Sequence, residues 1–148
     1  METQVEKIDS VRRNLQALIT RLNDTEGNAR SRNWPHNALS GVVRAYVIQQ
    51  AAVARGLIST IASQLGFRGP SMIEQPLEGS TVTCFIGTTM MLSQTGGVTQ
   101  EEAEQATFVA ADQLKKQVAE IVRHLEAVVD GEETIEGRQL NHGPLHYK

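Results

Sequence analysis

Four histidines carry the most versatile chemistry in this chain, because imidazole can bind a metal ion or carry a phosphoryl group. His142 and His146 lie four residues apart, a spacing that would place two metal ligands on one face of a helix. Gly143 and Pro144 between them prevent a continuous helix. A solvated tail is therefore the better interpretation, and no metal site or cofactor is predicted.

The other two histidines also lack the neighbours that phosphotransfer or metal chemistry would require. His36 follows Pro35 at the start of a predicted helix, without the Lys or Arg residues that usually flank a phosphoacceptor. We interpret it as a helix-start residue that hydrogen-bonds locally. His124 follows Glu120 by four residues, which is ordinary pairing along a helix. A di-iron bundle is not supported, since the other helices bring no matching carboxylates.

The single cysteine, Cys84, cannot form an internal disulfide, and it lies in the apolar stretch from Val82 to Ile86. This setting predicts a buried, unreactive thiol. The chain contains no nucleophile elbow, zinc signature or phosphate-binding loop. An enzyme is therefore the less favoured class of function.

Arginines make the N-terminal half of the chain basic. Residues 1–68 carry nine Lys and Arg against five Asp and Glu, and residues 69–148 carry five against twelve, within a net charge of −3. Helices of the two halves that pack together would explain this asymmetry. A nucleic-acid-associated regulator is an alternative, although the overall pI near 5.8 opposes it. Its candidate contacts are Arg12, Arg13, Arg30 and Arg32.

A second alternative is a small-ligand sensor or enzyme with a pocket between helices. Phe85, Met90, Met91 and Trp34 are the apolar side chains that could line such a cleft. Methionines at helical spacing more often fill a core, and no polar group converges on these residues to fix a ligand. Core packing is therefore the simpler interpretation.

The elements that must position these residues are helices. Apolar side chains recur every three or four positions from residue 3 to Leu22, which is typical of a coiled-coil-like seam. The turn formers of residues 23–28 predict that the first helix ends there. The second helix is predicted from Asn33 and Pro35 to Leu65. Its only charged residues are Arg44 and Arg55, which indicates a helix that is the centre of the bundle or part of a subunit interface.

Gly66, which follows the second helix, is its predicted stop, and residues 67–78 are predicted to be a connector that tucks Phe67 and Ile73 against the core. Residues 80–92 have the β-branched composition of a strand, but a lone strand would leave its backbone groups unpaired. A third helix is therefore predicted there.

The last helix has the clearest start. Thr99 and Glu102 match a capping box, and an apolar stripe continues to Val128. At ~1.5 Å per residue this helix is roughly 45 Å long, more than a compact bundle of this mass needs, so part of it is expected to meet another chain. Residues 132–148 show no periodicity and are predicted to form a flexible or partner-bound arm.

Together these patterns predict an all-α, three- to four-helix bundle over residues 1–131, with a long C-terminal helix and an extended C-terminal arm. We expect a cytoplasmic, non-enzymatic interaction or assembly protein, such as an adaptor, a chaperone or a structural component. It would form a homo-oligomer, with a possible protein partner on its arm, and it would have no membrane contact. The candidate interface residues are Arg44, Tyr46, Arg55, Leu57, Leu125 and Val128.

Overall fold

A computed structural model of the chain describes residues 3–32, 38–67, 73 and 79–135. These residues form four helices: α1 is Gln4–Ser31, α2 is Ala38–Gln64, α3 is Gly79–Gly96 and α4 is Gln100–Val129. No strand occurs among the described residues. The predicted all-α bundle is confirmed, and so is the choice of a helix over a strand for residues 80–92.

The first helix is longer than the sequence predicted. A capping box starts it, in which the Thr3 hydroxyl accepts from the Glu6 amide and the Glu6 carboxylate accepts from the Thr3 amide. The predicted end after Leu22 is wrong, because Thr25 and Ala29 continue the buried seam. The turn-forming side chains around them face solvent, where they cost the helix little. The helix ends instead at Ser31.

The centre of the bundle is α4, which packs against each of the other three helices. The charge-poor α2 packs against α1 and α4 and leaves its outer face in solvent. The predicted stop of α2 is confirmed, since Gly66 has a φ of 85°. Its predicted start at Asn33 and Pro35 lies outside the described residues.

The third helix is covered on one side only. Thr81, Phe85 and Thr89 point toward the core and are buried. Cys84 lies on a flank of α3, next to Gly66, and is exposed, so the prediction of a buried thiol is wrong. An apolar sequence context predicted burial, but α3 lies at the edge of the bundle, where no further helix covers its outer face.

The long fourth helix begins as predicted, with reciprocal bonds between Thr99 and Glu102. After Val129 the chain turns back, because the amides of Glu132 and Glu133 both donate to the Ala127 carbonyl. Ile135 is then 5% exposed and belongs to the core. The first residues of the predicted arm therefore pack on the bundle, and residues 136–148 lie outside the described part of the chain.

Two connector residues complete the core. Phe67 and Ile73 from the connector are buried, as predicted.

The complementary halves of the chain meet where the Arg21 guanidinium of α1 donates two bonds to the Glu126 carboxylate of α4, at 2.6 and 3.0 Å. None of the helices in the described ranges combines the length and the apolar character that crossing a bilayer requires.

Candidate functional site

A chain of three polar side chains crosses the core where α2, α4 and the C-terminal turn meet. The Tyr46 hydroxyl lies 3.0 Å from Nε2 of His124, and Nδ1 of His124 lies 2.6 Å from Oε1 of Glu133. Arg123 donates to the other oxygen of Glu133 at 3.0 Å. With a neutral imidazole, Tyr46 donates to Nε2 while Nδ1–H donates to the carboxylate. This arrangement matches the order of a proton relay.

Burial decides what this relay can do. Tyr46 is 6% exposed and the His124 side chain 5%, so a substrate has no access to either group. The bond from His124, with a further bond from Arg123, lowers the pKa of Glu133 below its ordinary value of 4.5. The carboxylate is thus held charged against α4. The arrangement fastens residues 130–135 to the bundle.

This relay was not predicted from the sequence, although a signal was present. His124 lies on the apolar stripe of α4, between Ile121 and Val128 at helical spacing. A polar side chain on a buried stripe must find partners inside the fold. Glu133 lies in residues 132–148, which were predicted to form an arm, so it was not considered as a partner for His124.

The predicted interface residues divide into two groups. Leu125 and Val128 are buried in the core of the single chain, as Tyr46 is, and Leu57 packs at its edge. Arg44 and Arg55 bind α1: Arg44 donates to the carbonyls of Ala29 and Arg32, at its C-terminal end. A second chain would meet other residues of α2.

Arg55 lies 2.5 Å from the Glu26 carboxylate of α1 and donates to Asn23 at 2.7 Å. Its charge is therefore matched within the chain. Although burial of Glu26 raises its pKa, hydrogen bonds from Arg55 and Arg30 outweigh that effect, and the net pKa is lowered. This ion pair joins the C-terminal half of α1 to α2.

The predicted nucleic-acid residues do not form one uninterrupted basic surface. Arg12 and Arg13 both pair with Asp9, at 2.8 and 3.1 Å, and Arg12 also donates to the Ile73 carbonyl. Arg30 pairs with Glu26 at 2.9 Å. Arg32 is exposed at the end of α1. The acids interleaved in the sequence are thus the partners of these arginines.

Three residues of the predicted ligand cleft, Phe85, Met90 and Met91, do not line one cleft in the described part of the chain. Phe85 is buried against Phe108, with ring centroids 5.0 Å apart, whereas Met90 and Met91 are exposed. Trp34, His36, His142 and His146 lie outside the described residues. Within the described ranges, no three His, Cys, Asp or Glu side chains are grouped to hold a metal ion.

The exposed methionines belong to a run of exposed apolar side chains at the end of α3. Met91 is 68% exposed, Leu92 49% and Met90 43% at the end of α3, and Val98 is 42% exposed in the turn that follows. Leu92 and Val98 also line a groove of about 330 Å³ that continues onto the first turns of α4 at Ala106. We call these five residues the α3/α4 surface.

A second uncovered face runs along α2. Val42 and Val53 are about half exposed and lie on one side of the helix. Gly41, Ala45, Gln49, Ala52 and Gly56 accompany them and are exposed as well. This face carries no charged side chain. The solvent side of α2 is therefore as poor in charge as the side that faces the core.

The chain was compared with protein-family models, with curated proteins and with solved structures, and none of the three comparisons gave a match.

Proposed function

We propose that this chain is a non-enzymatic association protein that forms a homodimer through the α3/α4 surface. One observation carries the proposal: the 18-residue helix α3 contains no charged side chain, yet it exposes three large apolar residues at its end. Contiguous exposed apolar side chains of this kind mark interaction sites in soluble proteins. Covering them would contribute ~25 cal/mol per Å² of apolar surface removed from water.

The chemistry of α3 favours a second copy of the chain as the partner. In a two-fold interface the same patch meets itself, so any charge near the axis opposes a like charge. The outer side of α3 avoids this repulsion, because its exposed residues are neutral. Cys84, Gly87, Thr88 and Met91 lie on this side at spacings of three and four. Their small side chains would let a second helix approach closely beside Met91.

Two further features support a non-enzymatic role in the cytoplasm. The relay of titratable groups through Tyr46 and His124 is closed to substrates by burial. The exposed, unpaired thiol of Cys84 suits a reducing compartment. Adaptor, chaperone and structural roles all require a binding surface of the type that α3 provides.

The test is the solution mass of the full chain, measured by sedimentation velocity from about 1 to 100 μM. We expect a dimer for the wild type and a monomer for the double variant Met91→Lys, Leu92→Lys, because two ammonium groups would be placed in the interface. Val5→Lys is the matched control, since Val5 is an apolar residue of α1 that is 48% exposed. A wild-type monomer at 100 μM would remove the proposal. So would a dimer that survives the double substitution.

Nucleic-acid binding remains the second candidate. The exposed Arg13 and Arg32 favour it, whereas the pairing of Arg12, Arg13 and Arg30 with acids opposes it. Retention on a DNA column that disappears between about 50 and 200 mM salt would support this candidate. Elution in the void volume at 50 mM salt would exclude it.

A further inference from the structure

A groove between α1 and α4, away from the α3/α4 surface, brings three lysines to an apolar floor. Its volume is about 500 Å³, within the range of small-molecule sites. Lys7 enters from α1, and Lys115 and Lys116 enter from α4. The sequence gives no hint of this grouping, because more than a hundred positions separate Lys7 from the other two.

The floor of the groove is apolar and firmly packed. Val11 and Phe108 both line it and pack against the core. The Phe108 ring is fixed by Phe85, whose ring lies 5.0 Å away at an angle of 45°. Val109, which is 45% exposed, continues the apolar surface along α4. An apolar group of a ligand would therefore meet a preformed surface.

The charges of the groove are unbalanced. Lys115 and Lys116 share one carboxylate, that of Asp112, at 3.2 and 3.3 Å. The Lys7 ammonium lies 5.7 Å from the centroid of the Phe108 ring, and no carboxylate of the described residues pairs with it. Three positive charges thus face one negative charge. Since the chain as a whole is acidic, this excess is local to the groove.

Acidic residues next to the groove set a direction for a bound anion. A neighbouring cavity shares Lys7 and Phe108 with the groove and is lined on its far side by Glu101, Glu102 and Glu104. These carboxylates repel an anionic group, whereas Lys115 and Lys116 at the other end of the groove attract it. A ligand with one charged end would be oriented by this pair of opposed fields.

We propose that the groove between α1 and α4 binds a small organic anion with an apolar body. The apolar body lies on Val11 and Phe108, and the anionic head lies among Lys7, Lys115 and Lys116. The hydroxyl of Ser10 and the amide of Asn14 line the same groove and supply hydrogen-bond donors to the head. The site is independent of the proposed dimer, because none of these residues belongs to the α3/α4 surface.

The test uses 1-naphthyl phosphate as the probe and isothermal titration calorimetry on the full chain. We expect one saturable site, with an affinity that falls at least about fivefold as salt rises from 20 to 200 mM, because exposed charges are screened. Inorganic phosphate lacks the apolar body and 1-naphthol lacks the charge. Each should bind at least about tenfold more weakly if both parts of the groove are used.

Variants locate the site. Lys7→Gln combined with Lys115→Gln should weaken the probe at least about tenfold, by removing two of the three cations. Arg13→Gln is the matched control on α1, and it should bind as the wild type does. Lys115 is partly buried, so Lys116→Glu, at a side chain that is 76% exposed, is the second variant if the first fails to fold.

Two results would overturn the proposal. One is the absence of saturable binding up to about 5 mM probe. The other is equal affinity in the wild type and in the folded lysine variants. Naphthyl groups could also bind the exposed methionines, so the Met91→Lys variant is titrated in parallel. Loss of binding in that variant, with no change in the lysine variants, would place the probe on the α3/α4 surface and refute the groove.

Discussion

At the scale of single residues, the polar groups of this chain stabilise contacts between elements. Tyr46, His124 and Glu133 come from three separate segments and connect them inside the core. The bond between Tyr46 and His124 is made where water is excluded, so leaving one of these partners unpaired costs more than the bond itself contributes. These residues therefore act in stability, which separates them from the groups expected to meet a partner or a ligand.

The first prediction concerns the buried hydroxyl. Tyr46→Phe keeps the ring but leaves Nε2 of His124 without its partner, so the free energy of unfolding should fall by about 1–2 kcal/mol. Urea denaturation followed by circular dichroism measures this loss. A double-mutant cycle with His124→Phe should show coupling between the two sites. Purely additive effects would mean that the hydrogen bond contributes nothing to stability.

At this scale, a contact can be predicted from the sequence only where both partners lie close together along the chain. The pairing of Thr99 with Glu102 was predictable, since both partners lie within one turn. The exposure of Cys84 was not, because its apolar neighbours in sequence do not tell whether another helix covers them. Lys7 and Lys115 likewise meet only through the tertiary fold.

At the scale of elements, the ends of helices depend on what covers them. Residues 23–28 favour a turn by composition, yet they continue α1 because Thr25 and Ala29 remain in contact with the core. Tertiary packing here outweighs a local preference of a few tenths of a kcal/mol per residue. At Gly66 the local signal and the packing agree, and the end of α2 was predicted correctly.

Gly66 gives the second prediction. Its φ of 85° disfavours any side chain, and a Cβ would lie 2.9 Å from the Thr81 carbonyl oxygen. Gly66→Ala should therefore lower the free energy of unfolding by more than about 1 kcal/mol. The matched control is Gly56→Ala in the exposed interior of α2, where a Cβ meets nothing within 4 Å. That change should stabilise the helix by about 0.5–1 kcal/mol, so thermal melts should shift in opposite directions.

The third prediction concerns the ion pair that joins α1 to α4. The hydrogen bonds from Arg21 lower the pKa of Glu126 below 4.5, and they outweigh the opposing effect of partial burial. A carboxylate with a lowered pKa in the folded state stabilises the fold above its unfolded pKa. That contribution is lost as the pH falls through the folded value.

Glu126→Gln removes this contribution. The free energy of unfolding should fall by about 0.5 kcal/mol at pH 7, since the pair is partly exposed. The difference from the wild type should shrink toward zero as the pH falls from about 5 to 3. Urea titrations at several pH values measure both. A constant difference over that range would show that the ionised pair is not the cause.

At the scale of the whole molecule, the arrangement of four helices explains why apolar faces stay uncovered. The long α4 occupies the centre, and α2 and α3 flank it without covering one another's outer sides. The sequence predicted that α2 was too poor in charge for an ordinary surface, and this inference extends to α3. The sequence alone could not show which helix lies at the centre of the bundle, because α2 and α4 both carry wide apolar stripes.

The fourth prediction tests the geometry of the proposed dimer with the native thiol. Cys84 and Met91 lie two helical turns apart on the exposed side of α3, so ~10 Å separates them along the axis. If two copies of α3 cross at Gly87 and Thr88, the small exposed residues of this side, each thiol lies within about one helical turn of the two-fold axis. A bismaleimide with a span of about 8 Å should then cross-link the wild type into a covalent dimer at low micromolar concentration. The yield should fall to the background of random collisions in the Met91→Lys, Leu92→Lys variant, while Val5→Lys cross-links normally.

A dimer by sedimentation that cross-links poorly would have a different meaning. Together with a dimer that survives the Met91→Lys, Leu92→Lys substitution, it would place the interface on the outer face of α2, where Val42 and Val53 are the large exposed residues. Val53→Lys would then dissociate it, because a charge on that face would be buried without a partner. Since Cys84 reports on α3 and Val53 on α2, cross-linking and sedimentation together assign the interface to one face or the other.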